Sequence, residues 1–372
     1  MTPAAALRRI REELAGTFLE RADLIDATLA AVLAGQHVLI IGPPGTAKSM
    51  LADEICRRFE GARYFQWLLT KFSTPEELFG AVSLAALEQD DYRRVTTHKL
   101  PEAHIAFLDE VFKASSSILN AILTIMNERR FYNGREVLEV PLVSLIGATN
   151  ELPEEDELQA LYDRFLVRYV VDYIQEDFRF LKMLEMEAPE RRTTLSLEGL
   201  RQAQRQVKRV GVSPALLRAV ADIRRELRRK QIVASDRRYR QAVELLRAFA
   251  FLQGRQEVVE DDLFLLEHVL WRDPGERGEV HATLHQLLRG YQDEVKELLF
   301  QTQELRDYAH RQWENGELRS RALVEAHTKI RNILRRVQDI LEEARALGRP
   351  TDLVEAVKQE IESIQQRMLE AL

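Results

Sequence analysis

The chain has 372 residues, 45% of them hydrophobic and 30% charged, with a formal net charge of −7. That length predicts more than one domain, and the acidic balance argues against a general coat for nucleic acid. A single cysteine, Cys56, excludes an internal disulfide, and the eight histidines show no spacing with cysteine or acids that would ligate a metal. No stretch approaches the ~20 apolar residues of a membrane span, and Met1–Arg9 lacks a long apolar core, so a soluble cytoplasmic protein is expected.

Residues 1–175 alternate helical and extended patterns, which predicts an α/β domain with a parallel sheet flanked by helices. A helix is expected near 16–34 and a first strand at 37–41. Directly after it stands Gly42-Pro43-Pro44-Gly45-Thr46-Ala47-Lys48-Ser49, and Met50 opens a helical pattern. Strand, glycine-bearing loop, Lys-Ser and helix in that order are what a triphosphate-binding loop requires. Gly42 and Gly45 let the backbone curl and approach phosphate closely, and the helix N-terminus adds its positive dipole end. Lys48 would reach the β- and γ-phosphates, and Ser49 would offer a hydroxyl to Mg²⁺. Ala47 stands where a glycine usually precedes the lysine, and it serves if its φ is helical.

Further strands are expected at 64–69, 105–108, 142–148 and 167–171. The segment Gly80–Pro101 is too long for a simple strand–helix connection. Ile105-Ala-Phe-Leu108 reads as a buried strand beside the P-loop strand, ending in Asp109 and Glu110. There Asp109 can hold the Mg²⁺ shell while Glu110 orients and deprotonates a water, a pairing suited to hydrolysis. The run from Leu142 ends at the same sheet edge in Asn150, whose amide can contact the γ-phosphate and the attacking water.

Residues 176–273 read as a helical domain. Between Arg201 and Arg240 thirteen Lys/Arg face three Asp/Glu. Two readings stand: a nucleic-acid stripe, or a lid packed against ATP and an acidic neighbour such as Glu151–Glu157. The lack of interleaved aromatic residues favours the second. In the tail, 279–372, Leu323, Ala326, Ile330, Ile333, Val337, Ile340, Ala344 and Leu347 recur in steps of three and four. Val354, Val357, Ile361, Ile364 and Met368 resume that rhythm after Gly348-Arg-Pro-Thr351, with Thr351 placed to cap the next helix. A weaker pattern from Leu284 to Leu305 ends near Asn315-Gly316. The tail therefore predicts a coiled-coil hairpin or three-helix bundle.

Gly42–Ser49, Phe107-Leu-Asp-Glu110, Leu119–Glu128 and Ala148-Thr-Asn150 together resemble the MoxR branch of the AAA+ ATPases. Phe72-Ser-Thr-Pro-Glu-Glu77, Asp109–Lys113, Ala160–Arg164 and Ser235–Arg238 are similar to its RavA subfamily. The resemblance spans about Leu19 to Trp271. It implies ATP and Mg²⁺ as cofactors and a homo-oligomeric ring, usually a hexamer, with ATP sites between subunits. It implies a remodelling or chaperone-like motor acting on a protein client or adaptor, with a von Willebrand factor A domain protein as a suggested partner. It puts an arginine finger at Arg164, with Arg168 as rival, and a second sensor over the same subunit's ATP at Arg237, with Arg238 as rival. It also sends the 80–101 insertion toward the ring axis, where Arg93 and Arg94 either touch substrate or solvate a hairpin. RavA is expected to carry a β-containing insertion after its lid, whereas nothing past Trp271 reads as strand. The alternative function is a nucleic-acid motor of branch-migration or translocation type; a GTPase switch lacks the Asn-Lys-x-Asp guanine reader.

Overall fold

Apolar runs that are buried on both faces need neighbours on both sides, and the core of the N-terminal α/β region is built that way. The computed structural model describes residues 2–152, 156–175, 177–185, 192–310, 316–346 and 349–369. Seven strands are named in chain order: β1 His37–Ile41, β2 Tyr64–Leu68, β3 Ile105–Asp109, β4 Arg130–Asn133, β5 Glu136–Glu139, β6 Ser144–Thr149 and β7 Phe165–Val170. Five of them form a parallel sheet in the order β2-β3-β6-β1-β7. The strand carrying Asp109 is therefore not beside the P-loop strand, as the sequence suggested; β6 lies between them. All six β6 residues are buried, which suits a central place. Gly147 permits it, because a Cβ there would sit 2.8 Å from the Phe165 ring.

The chain divides into two compact units. The first comprises Met1–Val212, Ile232–Val258 and Leu265–Arg277. Its N-terminal portion holds two helices where one was expected near 16–34. Pro3–Thr17 begins at a Thr2 cap, and Ala22–Ala34 ends at Gly35 with φ 66°. Glu20, at φ 57°, breaks the helix between them. Ala22–Ala34 is buried along Leu24–Leu33 and packs against the helix Asp236–Leu252.

The antiparallel hairpin β4–β5, turning at Gly134 with φ 61°, was not anticipated. It is joined to the 80–101 insertion, where Val82 bridges Arg94. Buried Asn133 accepts from the Arg94 N–H at 2.7 Å and donates to the Arg94 carbonyl at 3.0 Å. Arg93 pairs with Glu136 at 3.2 Å and Arg94 with Glu76 at 2.9 Å, so both arginines are engaged within the chain.

The second unit comprises Ser213–Gln231, Val259–Phe264 and Gly278–Leu372. Its long helices are Arg277–His310, Gly316–Ala346 and Asp352–Leu369. Ala326, Ile330, Val337, Ile340, Ile361 and Ile364 lie at the centre of its apolar core, following the three-and-four spacing of the sequence. Lys230, after the helix Pro214–Arg229, reaches Thr283 at 3.0 Å, and Arg349 pairs with Glu260 at 2.6 Å. Leu347, Gly348 and Asn315, expected in the seam and its turns, lie outside the described residues, as do Glu154 and Glu155 of the acidic stretch. Thr351 directly precedes the last helix, and its hydroxyl donates to Glu355 at 3.0 Å. Among the described residues, no strand follows Trp271 and no helix is long and apolar enough to cross a membrane.

Candidate functional site

β1, β3 and β6 end at one edge of the sheet, and the polar residues that follow them converge there. After β1 the chain turns at Gly42, where a Cβ would lie 2.3 Å from the Val171 carbonyl oxygen; no other residue fits that approach. Thr46 closes the loop by donating its hydroxyl to the Pro43 carbonyl at 2.9 Å, and the helix Lys48–Cys56 begins at once. Ala47 does not take the helical φ expected of it. It adopts φ 63° and ψ 22°, the left-handed conformation that glycine accepts freely and that costs an alanine about 1–2 kcal/mol. Glu110 is also left-handed, at φ 51°, so two strained backbones flank the same site.

Lys48 Nζ donates to the Gly42 carbonyl at 2.6 Å, to the Pro43 carbonyl at 2.8 Å and to Asn150 Oδ1 at 3.0 Å. Burial pushes its ammonium below the usual lysine range, against the opposing pull of Asp109 and Glu110. Ser49 Oγ donates to Asp109 Oδ2 at 2.9 Å, and Asn150 Nδ2 donates to Glu110 Oε1 at 2.6 Å. Pro44, Gly45, Lys48, Asp109, Glu110 and Asn150 thus share one cleft of about 350 Å³. The Ser49–Asp109 oxygen pair suits a hard cation that keeps water and phosphate as its other ligands. No group of three or more His, Cys, Asp or Glu that could cage a metal occurs among the described residues.

A second, largely apolar cavity of about 380 Å³ shares Gly45, Ala47 and Met50 with the first and is completed by Phe18, Ile174, Phe180 and Met183. These residues were not foreseen. The signal available was the Tyr173-Ile174 pair just past the last strand; Tyr173 donates its hydroxyl to the Pro44 carbonyl at 3.2 Å.

The four arginines separate by burial. Arg168, 1% exposed, donates to the Trp271 carbonyl at 2.6 Å and lies 4.0 Å over the Tyr162 ring. Arg238, 3% exposed, donates to the carbonyls of Leu166, Phe165 and Val269. Both hold backbone inside the unit and neither is free to reach another molecule. Arg164 is half-buried, with its Nε buried and unpartnered. Exposed Arg237 pairs with Asp163, next to Arg164, at 2.7 Å. Neither Arg164 nor Arg237 lines the P-loop cleft.

Residues 5–202 match the family described as the MoxR domain in the MoxR-vWA-beta-propeller ternary systems, and residues 215–284 match an AAA lid domain. Two uncharacterised proteins of Methanocaldococcus jannaschii are similar. One is 42% identical over 78% of this chain and 76% of its own length; the other is 38% identical over 96% of each. The chaperone MoxR1 of Mycobacterium tuberculosis is 24% identical over 64% of this chain and 67% of its own. A solved structure of a candidate ATPase from Cytophaga hutchinsonii shares the fold, with a TM-score of 0.62 at 16% identity over 77% of this chain and 94% of that one. Matched over more than half its length, with the P-loop and strand-end residues in place, the chain belongs to the MoxR family of AAA+ ATPases.

Proposed function

We propose that this protein is an ATP-hydrolysing, ring-forming motor that remodels or matures protein clients. The observation that carries the reading is the convergence of Lys48, Ser49–Asp109 and Glu110–Asn150 in one cleft. Lys48 meets the phosphate charge, Ser49 and Asp109 hold Mg²⁺, and the apolar cavity beside them takes the purine base. Glu110 accepts the proton of the attacking water, and Asn150 orients that water. Mg²⁺ supplies charge neutralisation on the phosphates when bound. Arg164, outside its own cleft, serves the nucleotide of a neighbouring subunit in a ring, where such a finger is worth roughly 10³–10⁵ in rate, and Arg237 serves as the second sensor of its own subunit's nucleotide.

The MoxR1 chaperone and the MoxR-vWA description of the matched family support a protein client and a von Willebrand factor A domain partner. Kinship to RavA rests on the short stretches noted above, and the helical tail points to a different partner set. The nucleic-acid alternative loses some ground because part of the basic run is paired or buried within the chain. Arg205 pairs with Glu198, Arg225 with Asp222 and Arg229 with Glu226, while Arg238 is buried.

Glu110→Gln should bind ATP normally and lose at least a hundredfold in turnover, since the base is gone and the geometry kept. Arg164→Ala should also bind without hydrolysing, and mixing it with Lys48→Ala subunits should restore activity where an intact finger meets an intact loop. Normal turnover in Glu110→Gln would sink the assignment of the base. Mixed rings that assemble without recovery would sink the assignment of the finger.

A further inference from the structure

Glu110 is held at both carboxylate oxygens. Asn150 donates to Oε1 at 2.6 Å, and the Lys113 ammonium lies 3.2 Å from Oε2. Asn150 also accepts from Lys48, so one line of polar contacts runs Lys48–Asn150–Glu110–Lys113. The first three have evident work in phosphate chemistry; Lys113 has none. It does not line the cleft, and its side chain is 49% exposed, against 14% for Glu110.

The turn that delivers Lys113 is firmly built. Its N–H donates to the Glu110 carbonyl at 2.9 Å, and Val111 N–H donates to Ala148 of β6 at 3.0 Å. The Phe112 ring lies 6.2 Å from Tyr162 and 6.5 Å from Phe165. The backbone from which the ammonium reaches the carboxylate is thus fixed. A carboxylate that must take a proton from water needs an oxygen presented to that water. An ammonium on Oε2 and an amide on Oε1 fix the rotation of the carboxylate and each takes one of the acceptor sites that water would use, although Glu110 lines the cleft.

We propose that Lys113 is a positioning residue that restrains Glu110 in the resting chain and so brakes hydrolysis. The inference rests on reading Glu110 as the base. A half-exposed pair of this kind holds weakly, so the brake is worth severalfold in rate, not orders of magnitude.

The test is steady-state ATP turnover of the full chain, with nucleotide affinity measured separately, for the wild type, Lys113→Met, Lys113→Arg, Glu110→Gln and the Lys113→Met/Glu110→Gln double variant. Lys113→Met should raise kcat two- to fivefold with KM and nucleotide Kd within twofold. Lys113→Arg, which keeps the charge, should stay near the wild-type rate, and the double variant should be as slow as Glu110→Gln. An unchanged or lower kcat in Lys113→Met, with Glu110→Gln inactive, overturns the brake while leaving the base in place. A fully active Glu110→Gln overturns the base itself, whatever Lys113→Met does.

Discussion

The P-loop cleft and the tail bundle are built on opposite terms. In the cleft, Lys48, Ser49, Asp109, Glu110 and Asn150 satisfy one another's hydrogen bonds, and Ala47 and Glu110 are held in left-handed backbone. In the tail, Ile330, Val337, Ile340, Ile361 and Ile364 are buried in uninterrupted helices. Strain and polar pairing are tolerated where chemistry needs them, because the sheet over-determines the loops. A bundle with no such demand gathers its stability mainly from apolar burial. Each residue of the cleft therefore has a role that a substitution can abolish, whereas each residue of the seam contributes an increment.

The sharpest contrast should come from Ile361→Ala. Removing a fully buried side chain from the seam should cost about 2–5 kcal/mol in denaturant unfolding of the second unit. ATP-analogue affinity should stay within twofold, and a large loss of affinity would erase the contrast between the two regions.

A smaller effect is expected at Glu13, which ties the first helix to fully buried Arg58 and to Thr193. Burial alone would raise its carboxyl. The Thr193 hydroxyl at 2.5 Å, the Thr193 N–H at 2.9 Å and the Arg58 guanidinium overcome that and hold it at about 2. Because the folded value is depressed, its stabilisation is complete above about 4.5 and is lost as pH falls toward about 2. The unscreened ceiling is about 3 kcal/mol, and solvent around the partly exposed carboxyl reduces it well below that. Glu13→Gln should lower neutral-pH stability by less than that ceiling and flatten the acid limb of the unfolding profile. An acid limb identical to the wild type would show that other carboxylates govern it.

The smallest change is Ala47→Gly. Relief of the left-handed alanine is partly offset by the greater freedom of glycine in the unfolded chain, so a gain of up to about 1 kcal/mol is expected in thermal unfolding. A loss would show that the loop is relaxed with alanine in place.

Much of this was readable before any coordinates. The P-loop, the Asp109-Glu110 strand end and Asn150 declare themselves because phosphate chemistry restricts residue type at fixed spacing. The seam declares itself because helical burial repeats every three to four residues. Strand order was not readable: β3 and β6 are both apolar runs, and neither states which lies against β1. Burial separated Arg168 and Arg238 from Arg164 and Arg237, and adjacent arginines look alike until their carbonyl partners are placed. Ala47 followed the same limit, since small residues do not announce their φ. The apolar cavity draws Phe18 from one stretch and Ile174 and Phe180 from another far along the chain, which no local pattern links.

Asn133 joins the β4–β5 hairpin to the 80–101 insertion through both backbone polar groups of one residue, the N–H and carbonyl of Arg94. At the hairpin's tip a Cβ on Gly134 would fall 2.3 Å from Asp91 Oδ1. The two excursions of the chain are therefore spliced into a single part, although they read as independent surface turns. For anyone redesigning this protein, the hairpin tip is a poor place to graft a tag or lengthen a loop. Added residues there would have to be accommodated twice, once in each strand of chain that Asn133 holds together.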